Sequence, residues 1–149
     1  MNAEASYAIA DADPVAAVLS WLAGHPRVEE ALGGPGRVSG AREAPWPHLR
    51  VALGPGGSLG DLTWLTEPEI TLEVYGDPGG WPGPAALTRI LKICAVAASE
   101  LSTTTRSDGQ AVVSGVRPSG VLLESPLETG QPRWVMGLLV SLHPNPEYS

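Results

Sequence analysis

Ala44-Pro45-Trp46-Pro47-His48-Leu49-Arg50-Val51 is the stretch on which the reading of this chain turns. Two prolines bracket a tryptophan. Proline lacks a backbone N–H, so it keeps its surroundings extended and outside any central ladder. Strand character begins directly afterwards, with Leu49, Val51 and Leu53 alternating. The segment is therefore the way into a sheet, and the order of elements on either side of it sets the architecture.

Working upstream, Arg37 to Ser39 fits a brief edge strand. Before it, Gly33-Gly34-Pro35-Gly36 stops a short helical turn through Val28, Ala31 and Leu32. A fuller helix precedes that turn. Asp13 reads as its N-cap and Pro14 as its first residue. Val15, Val18, Leu19 and Leu22 recur at i, i+3, i+4 and i+7 and so form one apolar stripe, which Trp21 widens. Gly24 is placed to end this helix, and His25-Pro26 turns the chain.

Working downstream, residues 54–60 (Gly-Pro-Gly-Gly-Ser-Leu-Gly) resemble a phosphate-cradling loop at first sight. They lack the Gly-Lys-Ser/Thr ending, and strand-like sequence follows where a helix should begin. The segment is read as a flexible hairpin or loop tip. Ile70, Leu72 and Val74 then alternate with Glu69, Thr71, Glu73 and Tyr75, the pattern of a half-buried strand. A second helix begins near Pro82 to Pro84. Its apolar stripe is Leu87, Ile90, Leu91, Cys94, Ala97, Ala98 and Leu101. Ser102 to Asp108 reads as a polar connection with Arg106 exposed. Three strands follow: Ala111 to Val116, Val121 to Glu124, and a longest, central one from Trp134 to Leu142. Arg117-Pro118-Ser119-Gly120 serves as a type I turn between the first two. The expectation is α+β: a mixed or antiparallel sheet packed against two helices in a single compact domain over residues 13–143. A flexible arm (1–12) and a C-terminal tail (144–149) flank it.

Composition narrows the function classes. The chain has 149 residues and a formal charge of −7, from 16 acidic residues against eight arginines and the single lysine Lys92. An acidic chain with no basic cluster is a poor candidate for direct sequence-specific nucleic-acid binding. No apolar run reaches membrane-spanning length, and the N-terminus lacks the basic n-region of a secretory leader. Abundant Ala, Gly, Pro and Arg with no phenylalanine track GC-rich codons. Cys94 is the sole cysteine, which excludes an intrachain disulfide. Its helical neighbours mark it as a buried small hydrophobe.

The chemistry searched for is mostly missing. His25, His48 and His143 show no metal-site spacing, so surface or capping roles are expected of them. Glu69 and Glu73 lie roughly 13 Å apart along an extended strand, too far for a glycosidase pair, and read as a solvated sheet face. Ser114-Gly115 and Ser119-Gly120 lack a nucleophile elbow. No cofactor and no catalytic residue is therefore assigned. Trp64 and Trp81, in loops, fit protein–protein anchors, whereas Trp21 and Trp134 are assigned to the core.

Taken together, these stretches resemble the tail terminator (tail-completion) proteins of long-tailed bacteriophages and phage-like particles. Four features carry the likeness. They are the opening helix with Asp13-Pro14 and Leu19-Ser20-Trp21-Leu22 followed by a short helical turn, the Pro-aromatic-Pro lead-in at residues 44–51, the strand Thr66-Glu67-Pro68-Glu69-Ile70-Thr71-Leu72-Glu73-Val74-Tyr75-Gly76, and Pro132-Arg133-Trp134-Val135-Met136-Gly137-Leu138. The resemblance implies a non-enzymatic virion protein, without cofactor, that forms a hexameric ring. Such rings assemble in the host cytoplasm and sit at the neck end of the tail. They contact the tail tube protein and the head–tail connector, ending tube polymerisation and joining the head. Alternatives are another head–tail connector or head-closure component, or a small-molecule-binding or enzymatic α+β domain. The last would need His48 or His143 to converge with Glu69 or Glu73 in a pocket between long helix and sheet. For a ring, the expected interface residues are Arg50, Trp64, Glu69, Glu73 and Trp81. Arg37, Arg42 and above all Arg50 are expected to meet Glu69 and Glu73 of the next subunit.

Overall fold

A computed structural model describes residues 6–101, 106–108 and 111–144. Among these residues, four helices, α1 (Ala8–Asp11), α2 (Pro14–Ala23), α3 (Pro26–Leu32) and α4 (Pro84–Ser99), accompany six strands. The strands are β1 (Val38–Ser39), β2 (His48–Asp61), β3 (Leu65–Tyr75), β4 (Arg106–Asp108), β5 (Ala111–Glu124) and β6 (Arg133–Pro144). They form one mixed sheet in the order β1-β2-β3-β6-β5-β4, in which only the β1–β2 pair is parallel. This is the α+β fold expected from the sequence.

Local chemistry accounts for the helices. The Asp13 carboxylate accepts the Ala16 N–H at 2.9 Å, and Pro14 supplies a fixed φ at the first helical position. α3 ends at Gly33 in the left-handed conformation (φ 91°), which costs glycine no Cβ clash. α4 starts at Pro84 and buries Leu87, Ile90, Leu91, Cys94, Ala97 and Ala98 on one face. Against that stripe lie Val18 and Leu22 of α2 and the inward rows of the strands: Leu49 and Val51, Ile70, Leu72 and Val74, and Leu138, Val140 and Leu142. Leu19, Trp21 and Trp134 are partly buried against the same core.

Four expectations need correction. Residues 54–60 are not a loop tip: β2 runs through them to Asp61, and the turn comes at residues 62–64. Register shifts between Leu53 and Gly57 and between Ser58 and Asp61 absorb the glycines as bulges, so pairing with β3 continues. Arg117-Pro118-Ser119-Gly120 is not a reversal either. It lies inside the single strand β5, with Pro118 opposite Leu138 and the irregularity placed between Ser119 and Leu123. A proline can be held there because, among the described residues, β5 pairs with β4 only near residues 111–112, which leaves most of its outer edge without a described ladder partner. β6 is central as expected, but at 12 residues it is shorter than β2 and β5 at 14 each. α1, within the span expected as an arm, packs on β6 with Ala8 and Ile9 buried. Within the segment expected to be a polar connection, residues 106–108 form β4; residues 102–105 and the Arg106 side chain lie outside the described residues.

Candidate interaction surfaces

β3 presents two unlike rows. Ile70, Leu72 and Val74 point into the core, whereas Glu67, Glu69, Thr71, Glu73 and Tyr75 share the opposite side. Register then fixes what each outward residue meets. Arg50 of β2 lies opposite Glu73, and its Nη1 donates to Glu73 Oε1 at 3.2 Å. Tyr75 is buried, and its hydroxyl donates to Glu73 Oε2. Burial first, and the adjacent carboxylate second, push the Tyr75 phenol above its ordinary range. Only 13% of the Glu73 side chain is exposed. The carboxylate read as solvated is thus an acceptor for two donors of its own chain.

Glu69 is held differently. Its Oε1 accepts the Gly56 N–H at 3.2 Å, and its Oε2 accepts the Ser119 hydroxyl of β5 at 3.0 Å. It reaches that far because glycine lies on both sides. A Cβ at Gly54 would come within 2.7 Å of Glu69 Oε1, and one at Gly137 within 2.6 Å of Oε2. These glycines clear a channel for one carboxylate across three neighbouring strands. Glu67 completes the row, accepting from Ser141 Oγ at 3.1 Å and facing Arg117 Nη2 at 3.6 Å. The sequence shows glycines at 54, 56 and 137, but nothing in it places them beside Glu69. That needs the register.

The three arginines expected to reach a neighbouring subunit are occupied at home. Arg37 Nη1 donates to the carbonyls of Leu32 (2.8 Å) and Trp46 (2.7 Å), tying α3 to the Pro-Trp-Pro segment. Arg42 Nη1 lies 3.5 Å from Gln131 Oε1, and Arg50 Nε donates to the Gly40 carbonyl at 3.1 Å. Expected between subunits, the Arg50–Glu73 pair is formed within the chain, because residues 23 apart in sequence are direct cross-strand neighbours.

Trp64 and Trp81 are exposed tryptophans, at 58% and 63%, and Tyr7 is exposed as well, at 64%. Trp64 closes the β2–β3 turn and meets His143 edge-on, with ring centroids 6.4 Å apart. Exposed Leu59 and Leu62 belong to the same hairpin end. Trp81 belongs to the Gly/Pro loop before α4, where its carbonyl accepts the Asp77 N–H at 2.7 Å.

The histidines do not converge. His25 caps α3 through Nδ1, which accepts the Arg27 N–H at 3.2 Å, and its Nε2 lies 2.7 Å from Glu100. His48 is fully buried, contrary to a surface role, and its Nε2 lies 2.9 Å from Ser39 Oγ. Desolvation lowers its pKa, only partly opposed by Glu43. The helix–sheet interface, where a catalytic pocket would have to open, is filled by Leu72, Leu91, Cys94 and Leu138, all fully buried. Burial pushes the Cys94 thiol up to about 12, so it stays protonated and unreactive. Among the described residues no cluster of three or more His, Cys, Asp or Glu could hold a metal ion, and no helix is long and apolar enough to cross a membrane.

No protein-family model and no curated protein matches the chain. Among solved structures, the fold is similar to that of a chain in the virion of a native gene transfer agent particle, with a TM-score of 0.59 and 21% identity. The match covers 93% of this chain and 99% of the other, so the shared fold is the whole domain and not a fragment.

Proposed function

We propose that the chain is a structural subunit of a phage-like particle that forms a ring, of the hexameric tail-terminator type, at the neck end of the tail. The observation that carries this reading is the end-to-end fold match to a component of a virion particle. The sequence resemblance to tail terminators points the same way. So does the distribution of side chains: polar residues engage one another within the chain, while Trp64 and Trp81, the residue type enriched at interface centres, are left exposed at two separate loops. In this reading the ring meets the tail tube protein on one side and the head–tail connector on the other, and its work is shape and contact without chemistry.

The test is tube assembly. Tail tube protein from the same particle, polymerised with and without this chain, is imaged by electron microscopy. Tubes capped at one end and arrested in length support the reading. Tubes that neither bind the chain nor change in length overturn it, and binding to the connector alone would favour a head-closure role.

A further inference from the structure

We infer that subunits meet through a basic groove between α3 and α4, which receives the acidic, apolar end of β5 from a second copy of the chain. The inference rests on the ring reading above. α4 carries two stripes. Opposite the core row, Arg89, Lys92, Ile93, Val96 and Glu100 are linked by i,i+3 and i,i+4 spacings (89–92, 89–93, 92–96, 93–96, 96–100), so they share an outward face. With His25 and Arg27 they line a groove of about 410 Å³. Val96 is 65% exposed in its wall.

Charge makes this groove unusual. The chain is −7 overall, yet three of its nine Lys and Arg residues, Arg27, Arg89 and Lys92, stand here. Among the described residues none of the three meets a carboxylate, and the one acid in the lining, Glu100, is taken by His25 at 2.7 Å. An apolar wall rimmed by unpaired cations fits an acidic segment with apolar side chains.

The chain itself presents one. Val121 (69%) and Leu123 (58%) are exposed near the end of β5, and Glu124 and Glu128 are exposed beside them. No Lys or Arg falls between Arg117 and Arg133. This segment belongs to a sheet edge that, among the described residues, β4 covers only near residues 111–112. The two patches are different surfaces, one helical and one on a strand edge. Their contact is therefore heterologous, the kind that closes into a ring instead of a two-fold dimer.

Reversing charge on each side tests this in the full chain, with self-association followed by mass photometry across concentrations and at two salt levels. R89E/K92E and E124K/E128K should each weaken self-association at least about tenfold while circular dichroism stays native, and the combined variant should recover most of the loss. In the assembled wild-type background, Val96→Cys with Leu123→Cys should give covalently linked multimers on oxidation. Rings indifferent to both pairs of reversals, or losses that the combination does not rescue, overturn the contact and leave the ring reading standing. A chain that is monomeric alone and with tube protein removes both. Loss of binding to a different acidic virion protein, with self-association unchanged, would give the groove to that partner and overturn the inference.

Discussion

The two rows of β3 lie on one strand and obey different rules. Ile70, Leu72 and Val74 need only apolar neighbours of suitable size, and they find them in α2, α4 and β6 without any particular pairing. Glu69, Glu73 and Tyr75 need named partners, because a buried carboxylate or hydroxyl left without one costs about 1–3 kcal/mol. Each has them: Gly56 and Ser119 for Glu69, Arg50 and Tyr75 for Glu73. Inward packing tolerates substitution of kind, while the outward network tolerates almost no change of register. A one-residue slip would send every one of these side chains to the wrong face.

The largest effect should come from the inward side. Leu91→Ala removes a fully buried side chain at the centre of the α4 stripe and should cost about 2–5 kcal/mol by denaturant unfolding. A value below 1 kcal/mol would mean that α4 is not the main cover of the sheet.

Next comes the channel that lets Glu69 lie flat. Gly137→Val puts a branched side chain where a Cβ alone would fall 2.6 Å from the carboxylate, and should cost about 1–3 kcal/mol. Pairing it with Glu69→Ala should recover part of that loss if the clash is the cause. Equal losses in the single and double variants would place the cost in the β6 backbone instead.

A smaller effect lies at the edge where His48 is buried. Its folded-state pKa is depressed, so folding favours the neutral ring. The associated stability is present above the ordinary histidine value of 6.5 and drains away as pH falls below it toward the folded-state value. His48→Gln should flatten the stability profile over that acidic range when urea midpoints are compared at pH 7 and pH 5. An unchanged slope would point to the acidic side chains in place of His48.

The smallest effect should be at Arg50. Its side chain is 35% exposed, so the pair with Glu73 is partly screened, and the neutral Arg50→Gln, which avoids setting a second carboxylate opposite Glu73, should cost the subunit about 1 kcal/mol or less. Because the pair forms within the chain, ring formation should survive the change. Loss of the ring with a stable subunit would restore an intersubunit role for Arg50.

Much of the fold was legible beforehand because its signals are local. The Asp13-Pro14 cap, the α4 stripe and the β3 alternation each depend on spacings within a few turns or pleats, and each stands where the sequence puts it. Two local signals misled. Glycines at 54, 56, 57 and 60 read as a mobile tip, and Pro118 with Gly120 read as a turn, since both carry turn chemistry. Each is absorbed by a strand whose outer edge, among the described residues, is paired only near one end, where a bulge or a missing N–H is tolerated. The groove over α3 and α4 has a partial signal: Arg89, Lys92 and Val96 recur on the face opposite the core stripe. Arg27 and His25 join them only through tertiary packing.

The sequence alone determined the inward rows of α2, α4 and β3, the cap and first residue of α2, and the glycines that end α2 and α3. Those properties follow from periodicity and capping, which are settled between near neighbours. Tertiary structure alone decided that Arg37, Arg42 and Arg50 are engaged within the subunit, that Glu69 bonds across to β5, and that His48 is buried. The physical reason is register. A cross-strand partner is chosen by how the inward rows of all the strands pack at once, bulges included, and no segment carries that information by itself.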